Sequence, residues 1–269
     1  MHVTTADKRA SFKKLHESGC FILPNPVDIG SAKALQHLGF KALASSSAGF
    51  AWTIGKADNH VTVEDVCQHL AALSSAVDIP VNADFEGGFA VEADRVADNV
   101  ERCVRTGVAG LSIEDSTGDK HNPIYESALA VERIKASRRA IGDSGVLLVG
   151  RCEAFLWGVT DLKFVIDRLT AYADAGADCL YAPGLKTRED IAAVVKAVAP
   201  KPFNLLIGAS GLSLQEAGDL GVRRISVGGS LARAAWGGFM RAAKEMAEKG
   251  TFTELGSGYP GGELNKMFS

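Results

Sequence analysis

Short apolar runs recur along the chain and alternate with longer segments whose apolar positions repeat every three or four residues. Eight short runs read as strands: CFILPNP (20–26), ALASSS (42–47), PVNADF (80–85), GLSIED (110–115), VLLVGRCE (146–153), CLYAPG (179–184), FNLLIGA (203–209) and RRISVGG (223–229). The segments between them, such as TVEDVCQHLAALSSAV and VEADRVADNVERCVRTG, read as amphipathic helices. In the second, Val91, Ala93, Val96, Ala97, Val100, Cys103 and Val104 form one apolar stripe with charges on the other face. TGVAG and AGAD repeat one device, a helix that ends at a glycine just before the next strand.

Eight strand–helix units predict an α/β fold, a (β/α)8 TIM-type barrel. A doubly wound open sheet is the main rival. The count of eight favours the barrel, as does the lack of any unit standing apart. No Pro-, Ser- or charge-rich linker divides the chain, so residues 1–269 read as a single barrel domain with an N-terminal helix before the first strand. Residues 250–269 are glycine-rich and read as a C-terminal extension over the body or toward a partner subunit.

Composition narrows the function classes. Of 269 residues, 46% are hydrophobic and 23% charged, enough to bury a sizeable core. The net charge of −3 gives no reason to expect a nucleic-acid partner or an anionic membrane surface. No apolar run approaches the roughly 20 residues that span a bilayer. The stretch MHVTTADKRASFKKLHES lacks the apolar core of a secretory leader. The five cysteines (20, 67, 103, 152, 179) form no CxxC pair and read as reduced thiols of a cytoplasmic protein.

The polar residues at the strand ends carry the candidate chemistry. Barrel active sites lie at the C-terminal ends of the strands. There the sequence places Ser45, Ser46 and Ser47, then Asp84 and Glu86, Glu114 and Asp115, and Arg151 and Glu153, with Asp58 in the loop after strand two. Carboxylates converging on one rim repel unless a cation compensates. A hard divalent ion with oxygen ligands fits best, and Mg²⁺ accepts one or two carboxylates while keeping several waters. His60 and His121 stand too far apart in sequence to argue zinc. The bland readings stay beside these. A lone strand-end carboxylate, Asp115 or Glu153 for instance, is more often a helix cap or a solvated charge. The serines can be a capping cluster, and Arg151 an internal counter-ion. SVGGSLARAA (226–235) offers a glycine turn before a helix, which is either a late-barrel phosphate cradle or simply a tight turn.

The order and spacing of several pieces are similar to the isocitrate lyase/phosphoenolpyruvate mutase superfamily over residues 5 to 245. These pieces are FILPNPVDIGSAKALQHLGFKAL, the serine run before GKADN, DFEGGF, SIED, the Lys-His-Asn loop, GRCEAF and AGADCLY. The resemblance implies that Asp84 and Glu86 are the metal pair, with Glu replacing a more usual second Asp, and that Asp58 and Glu114 complete an Mg²⁺ (or Mn²⁺) shell. It implies that Ser45, Ser46 and Ser47 form the substrate-carboxylate loop and that Arg151 holds the substrate. Lys120, His121 and Asn122 fall on the loop that is a mobile gate in this family, within DSTGDKHNPIYE. No cysteine stands where the lyase branch carries Lys-x-Cys-Gly-His, which argues against isocitrate or methylisocitrate lyase activity. Lys120 and Asn122 resemble the Lys-x-Asn of the mutases, but Pro123 replaces a polar residue, and LYAPG (180–184) lacks the histidine of the mutases and the glutamate of the lyases. The chain resembles a phosphonomutase-like branch.

The expected activity is cleavage of a bond next to the carbonyl of a 2-oxo or 2-hydroxy carboxylate through an enolate, by an Mg-dependent C–C lyase or decarboxylase. A phosphonomutase or C–P hydrolase is the alternative reaction. A non-catalytic 2-oxo-acid binder and a metal-free sugar-phosphate enzyme are alternatives of other classes. By the same resemblance, the helix SLARAAWGGFMRAAKEMAEKG swaps between subunits, exposing Leu231, Trp236, Phe239 and Met240, and gives a homodimer or homotetramer.

Overall fold

The computed structural model describes residues 3–208 and 211–269. Met1 and His2 of the N-terminal stretch, and Ala209 at the end of the seventh expected strand, lie outside the described residues. The strands are β1 Phe21–Leu23, β2 Leu43–Ala44, β3 Val81–Asp84, β4 Gly110–Glu114, β5 Leu147–Arg151, β6 Cys179–Tyr181, β7 Phe203–Leu206 and β8 Arg224–Ser226. All pair in parallel, in the order β1-β8-β7-β6-β5-β4-β3-β2. The β1–β2 seam is bridged by the Ala44 N–H, which donates to Pro24 O at 3.0 Å. This is the expected barrel, nearly closed.

α1 Thr5–Leu15 precedes the first strand, and the helices after it follow strands: α2 Ile29–His37, α3 Ser47–Thr53, α4 Val63–Ala76, α5 Ala93–Arg105 and α6 Ser127–Ile141. Then come α7 Leu162–Asp174, α8 Arg188–Val198, α9 Leu214–Asp219, α10 Ser230–Lys249 and α11 Gly261–Phe268. On α5 the stripe buries Val96, Val100 and Cys103. Val91 is exposed instead, because it precedes the helix start and never joins its face. The extension after Gly250 is not featureless. Pro260 caps α11, and the Phe268 ring reaches Gly30 of α2.

The strand period of two sorts the core. On β4, Leu111 and Ile113 join the large cluster under the helices, while Gly110, Ser112 and Glu114 alternate with them. Likewise Ala83, Leu148, Leu180, Phe203, Leu205 and Ile225 face the helices. Their neighbours Asn82, Tyr181, Asn204, Arg224 and Ser226 line the barrel interior. One more pleat step along β3, β4 and β5 brings Asp84, Glu114 and Arg151 to the C-terminal mouth.

The opposite end is plugged by α1. Thr4 caps it in a reciprocal box with Asp7. The buried Lys8 ammonium donates to Ser74 O at 2.7 Å and to Val77 O at 2.5 Å. Phe12 is wholly buried against Leu23, Ala42, Ala44, Ala109 and Leu147. It lies so close that a Cβ on Gly110 would stand 2.7 Å from its ring and 2.6 Å from Asn82 Oδ1, so only glycine fits there. His16 packs edge-on between Phe12 and Phe21. Among the described residues no helix is long and apolar enough to cross a membrane, and all five cysteines are free thiols.

Truncating the plug should be costly. Phe12→Ala should lower unfolding stability by roughly 3–5 kcal/mol, since it removes a wholly buried ring and leaves a void in the barrel floor. Urea unfolding monitored by circular dichroism would measure it, and a loss below about 1 kcal/mol would show that α1 is not a structural plug.

Candidate active site

Arg151 sits at the centre of the mouth. It ends β5, and its guanidinium is largely buried between three carboxylates from three strand ends. Nη1 lies 3.0 Å from Asp84 Oδ1 and 3.2 Å from Glu114 Oε2, and Nε pairs with Glu153 Oε1. Its charge also stands over the Tyr181 ring, 5.1 Å from the centroid. Nη2 has no ion-pair partner among the described residues.

Asp84 ties this cluster to the serine run. Its Oδ2 accepts the Ser47 N–H at 3.0 Å, and its own N–H donates to Ser45 Oγ at 2.8 Å. Ser46 Oγ accepts the Gly49 N–H at 3.1 Å and caps α3. The capping reading therefore holds for Ser46, while Ser45 and Ser47 hold Asp84 in place.

The glycine-rich turn after β3 sets Glu86. Glu86 and Phe89 adopt left-handed backbone, φ 46° and 57°, with Gly88 at 74° between them. Arg133, on α6 and 1% exposed, clamps the turn. Its Nη1 donates to Ala90 O at 2.6 Å and Val91 O at 3.0 Å, and Nη2 donates to Gly87 O. Oε1 of Glu86 is buried without a hydrogen-bond partner. Burial, and then the charges of Asp84 and Asp58, push the Glu86 carboxyl up to about 8. Asp58 lies on the rim with one side in water. Lost hydration on its other side and the charge of Asp84 raise its pKa, against a pull from Asn59, Ser47 and Arg151. Burial raises Glu114 well above the usual carboxylate range despite Arg151 beside it, and Glu153 is raised for the same reason.

Asp58, Asp84, Glu86 and Glu114 thus lie close enough to influence one another's charge. Lys120, His121 and Asn122 do not reach this cluster. They are exposed on the tip of the loop after β4. Its base is closed by a Ser116–Ile124 bridge and by the Trp157 indole N–H, which donates to Ser116 Oγ at 3.0 Å. The tip bonds only to itself: Thr117 N–H donates to Pro123 O at 2.9 Å, and His121 N–H to Asp119 Oδ1 at 2.9 Å.

Three sequence readings narrow. Asp115 is neither a cap nor a solvated charge. It is 2% exposed and accepts from Tyr172 Oη at 2.6 Å, Arg168 Nη1 at 3.2 Å and Glu153 N at 2.8 Å. For Glu153, where the cap and rim readings stood side by side, the structure gives the rim one: it is the buried partner of Arg151. The phosphate-cradle reading of the turn after β8 weakens, because Val227 and Gly228 already give their N–H groups to Asn25 Oδ1, both at 2.9 Å. Sequence reasoning missed Asn25, Arg133, Arg168, Tyr172 and Tyr181. Arg133 and Arg168 lie on helices among other charged residues, and nothing local distinguishes a buried guanidinium from a solvated one.

Among the described residues, no three His, Cys, Asp or Glu side chains form a ready-made metal cage. The donor set still fits a hard dication. All the donors are oxygens, and the orphaned Glu86 Oε1 lacks a partner. An ion that keeps most of its waters needs only one or two direct carboxylates.

Comparisons with known proteins show the family and the fold. The family model for phosphoenolpyruvate phosphomutase matches residues 12–247. An uncharacterized protein of Mycobacterium tuberculosis is 33% identical over 81% of this chain and 81% of its own length. A crystal structure of a protein from Burkholderia cenocepacia J2315, assigned provisionally as a lyase/mutase, is 45% identical with a TM-score of 0.94, covering 98% of this chain and 96% of that one. Oxaloacetate acetylhydrolase in complex with its product oxalate is 26% identical with a TM-score of 0.85, covering 97% of this chain and 93% of that one.

The raised Glu86 carboxyl makes a signed prediction for the metal-free protein. Its folded pKa of about 8 exceeds the ordinary 4.5, so the folded state holds the proton more tightly than the unfolded one. The stability this adds is fully present below about pH 4.5 and is lost by about pH 8. Glu86→Gln should flatten that part of the profile and stabilise the protein at pH 8. Thermal melts at pH 5 and pH 8 in chelator would test this, and parallel profiles for wild type and variant would contradict the assigned environment.

Proposed function

The chain belongs to the phosphoenolpyruvate phosphomutase family, and from that premise we propose that it is a divalent-metal-dependent enzyme acting beside the carbonyl of a 2-oxo or 2-hydroxy carboxylate. The leading reaction is C–C cleavage of the lyase or decarboxylase kind, with an enolate product. The observation that carries this reading is the convergence of Asp84, Glu114 and Glu153 on Arg151 at the barrel mouth.

In this reading Asp84 and Glu86, with Asp58 and Glu114 outside them, hold Mg²⁺ or Mn²⁺. Bound there, the ion supplies a Lewis acid for a carboxylate and its neighbouring oxygen. The chain's own residues do the rest. Glu153 pins Arg151 through Nε, and Asp84 and Glu114 hold Nη1, which leaves Nη2 to meet a substrate anion. As negative charge builds on the carbonyl oxygen, that fixed guanidinium stabilises it more than it stabilised the neutral carbonyl. Ser45 and Ser47 hold Asp84 in register, and the run Ser45, Ser46 and Ser47 is read as the loop that faces the substrate carboxylate. Lys120, His121 and Asn122 act only after the loop closes, excluding water and positioning the departing group.

Phosphonomutase or C–P hydrolase chemistry is the second reading, favoured by the Lys-x-Asn spacing of Lys120 and Asn122. A non-catalytic 2-oxo-acid binder is the outcome if no substrate turns over. The protein is read as cytoplasmic, and residues 1–269 as one barrel unit with 250–269 as its extension.

α10 buries only Ala232 against its own barrel and leaves Leu231, Trp236, Phe239 and Met240 exposed. A second copy covering this face, with exchange of the helix, makes the protein a homodimer or homotetramer. Light scattering at micromolar concentration should give a multiple of 28.3 kDa, and Phe239→Glu should shift it toward the monomer. A monomeric wild type would refute this assembly.

The functional test is turnover of a panel of 2-oxo and 2-hydroxy di- and tricarboxylates and phosphonates with Mg²⁺ or Mn²⁺. Asp84→Ala should weaken metal binding by more than about tenfold in calorimetry while the fold persists. Oxalate, the shape of a pyruvate enolate, should compete only when metal is present. Arg151→Ala should weaken it at least about tenfold, for loss of a charged partner in a partly desolvated site. Oxalate binding that survives both chelation and the Arg151 change would eliminate the enolate reading.

A further inference from the structure

At the mouth, the barrel has a seam that its backbone does not close, and one side chain closes it. The run LPNPV places Asn25 between Pro24 and Pro26. Proline has no N–H, so the chain leaving β1 lacks two of the donors that would continue a ladder. The register of β1 on β8 stops at Leu23 opposite Ser226. Among the described residues no ladder joins β1 to β2. Past these points, buried backbone groups of β2 and of the turn after β8 need partners from elsewhere.

Asn25, 5% exposed, supplies them. Its Nδ2 donates to Ser45 O at 2.9 Å, and its Oδ1 accepts the Val227 and Gly228 N–H groups, both at 2.9 Å. The partners fix the orientation of the amide, because a carbonyl only accepts and an N–H only donates. One side-chain amide thus joins the ends of β1, β2 and β8. The other interior asparagines do not join strand ends in this way. Asn82 Nδ2 donates to the carbonyl of its neighbour Ala83, and Asn204 bonds the side chains of Ser226 and Arg224.

Ser45 passes this constraint on. Its N–H donates to Asn82 O at 2.9 Å, its C=O takes the Asn25 amide, and its Oγ accepts the Asp84 N–H at 2.8 Å. With the backbone of Ser45 held on both sides, its hydroxyl has a fixed place, and the end of β3 is set from that hydroxyl.

We propose that Asn25 is a positioning residue for the metal site: it fixes Ser45 from the β1 side, and Ser45 in turn sets Asp84 for a dication. The inference rests on the metal reading above and deepens it. Asn25 is not itself a ligand and acts only through Ser45. Removing a group directly behind a metal ligand typically costs roughly 10–100-fold in affinity, and Asn25 stands one bond further back.

The test is Mn²⁺ affinity of the full chain by calorimetry, at a temperature well below every unfolding transition. Asn25→Ala should weaken binding at least about fivefold, and Ser45→Ala at least about tenfold. The double variant should bind no more weakly than Ser45→Ala alone, because both changes break one route. Phe12→Leu, destabilised at the far end of the barrel, should stay within about twofold of wild type. Asn25→Asp keeps the acceptor for the two β8 N–H groups and removes only the donor to Ser45 O, so it serves where Asn25→Ala does not fold. At pH 8 it should also bind Mn²⁺ more weakly, whereas an added negative charge alone would tighten a dication. A lower Tm with unchanged affinity in Asn25→Ala would overturn the proposal, since that is the mark of a purely structural role. Additive losses in the double variant, unchanged affinity in Ser45→Ala, or equal or tighter binding in Asn25→Asp would overturn it too. A wild type that binds no Mn²⁺ would remove the metal reading and this inference with it, whereas the other failures leave the metal reading standing.

Discussion

Arg151 with its three carboxylates is the interaction around which the mouth of this barrel is organised. Burying one guanidinium or one carboxylate alone is costly, and burying them together is tolerable only if each charge has a partner. Here Asp84, Glu114 and Glu153 arrive from three strand ends and meet one cation. Three negative charges around one positive charge leave an excess. Burial first, and then the neighbouring carboxylates, raise Glu86 and Glu114 above the usual carboxylate range. The excess is also why a dication is a natural occupant. The site is held together while still short of positive charge.

Behind this ring, the structure fixes the pieces with buried polar groups instead of packing alone. Asp115 ties Arg168, Tyr172 and the backbone of Glu153 into one network, so the loop that places Glu153 is anchored to α7. Arg133 performs the same task for the turn carrying Glu86, by taking three of its carbonyl oxygens. These helices hold the rim from outside while the serines of β2 hold Asp84 from the side. Below, α1 closes the floor with Phe12, and the interior between floor and mouth is polar. That polarity distinguishes this barrel from one filled by aliphatic layers, and Arg224 and Arg151 both line one small cavity within it.

Much of this was legible in the chain. All eight strands lie within the segments that the apolar runs mark, because each needs one face against the helices and the period of two records that demand. The mouth residues were legible through position: Asp84, Glu114 and Arg151 end strands, and strand ends in a barrel share one rim. The gate residues were legible as a loop but not as part of a site. Lys120, His121 and Asn122 are exposed at the loop tip, where the hydrogen bonds run only within the loop, so the barrel does not fix them against the rim. For Asp115 and Glu153 the cap and rim readings stayed open, because a lone carboxylate at a strand end looks the same in sequence whether water or Arg168 and Arg151 surround it.

The sequence by itself determined the architecture, the strand ends and the chemical character of the rim. Those follow from local periodicity and from the order of the segments, which every residue helps to encode. Only the tertiary structure decided the pairing. Arg151 meets Asp84 across 67 residues, Arg168 meets Asp115 across 53, and Arg224 reaches His16 across 208. Whether a charge is solvated or paired depends on what the fold brings opposite it. No local pattern carries that information, because the stability of a charge is set by its surroundings and not by its neighbours in the chain.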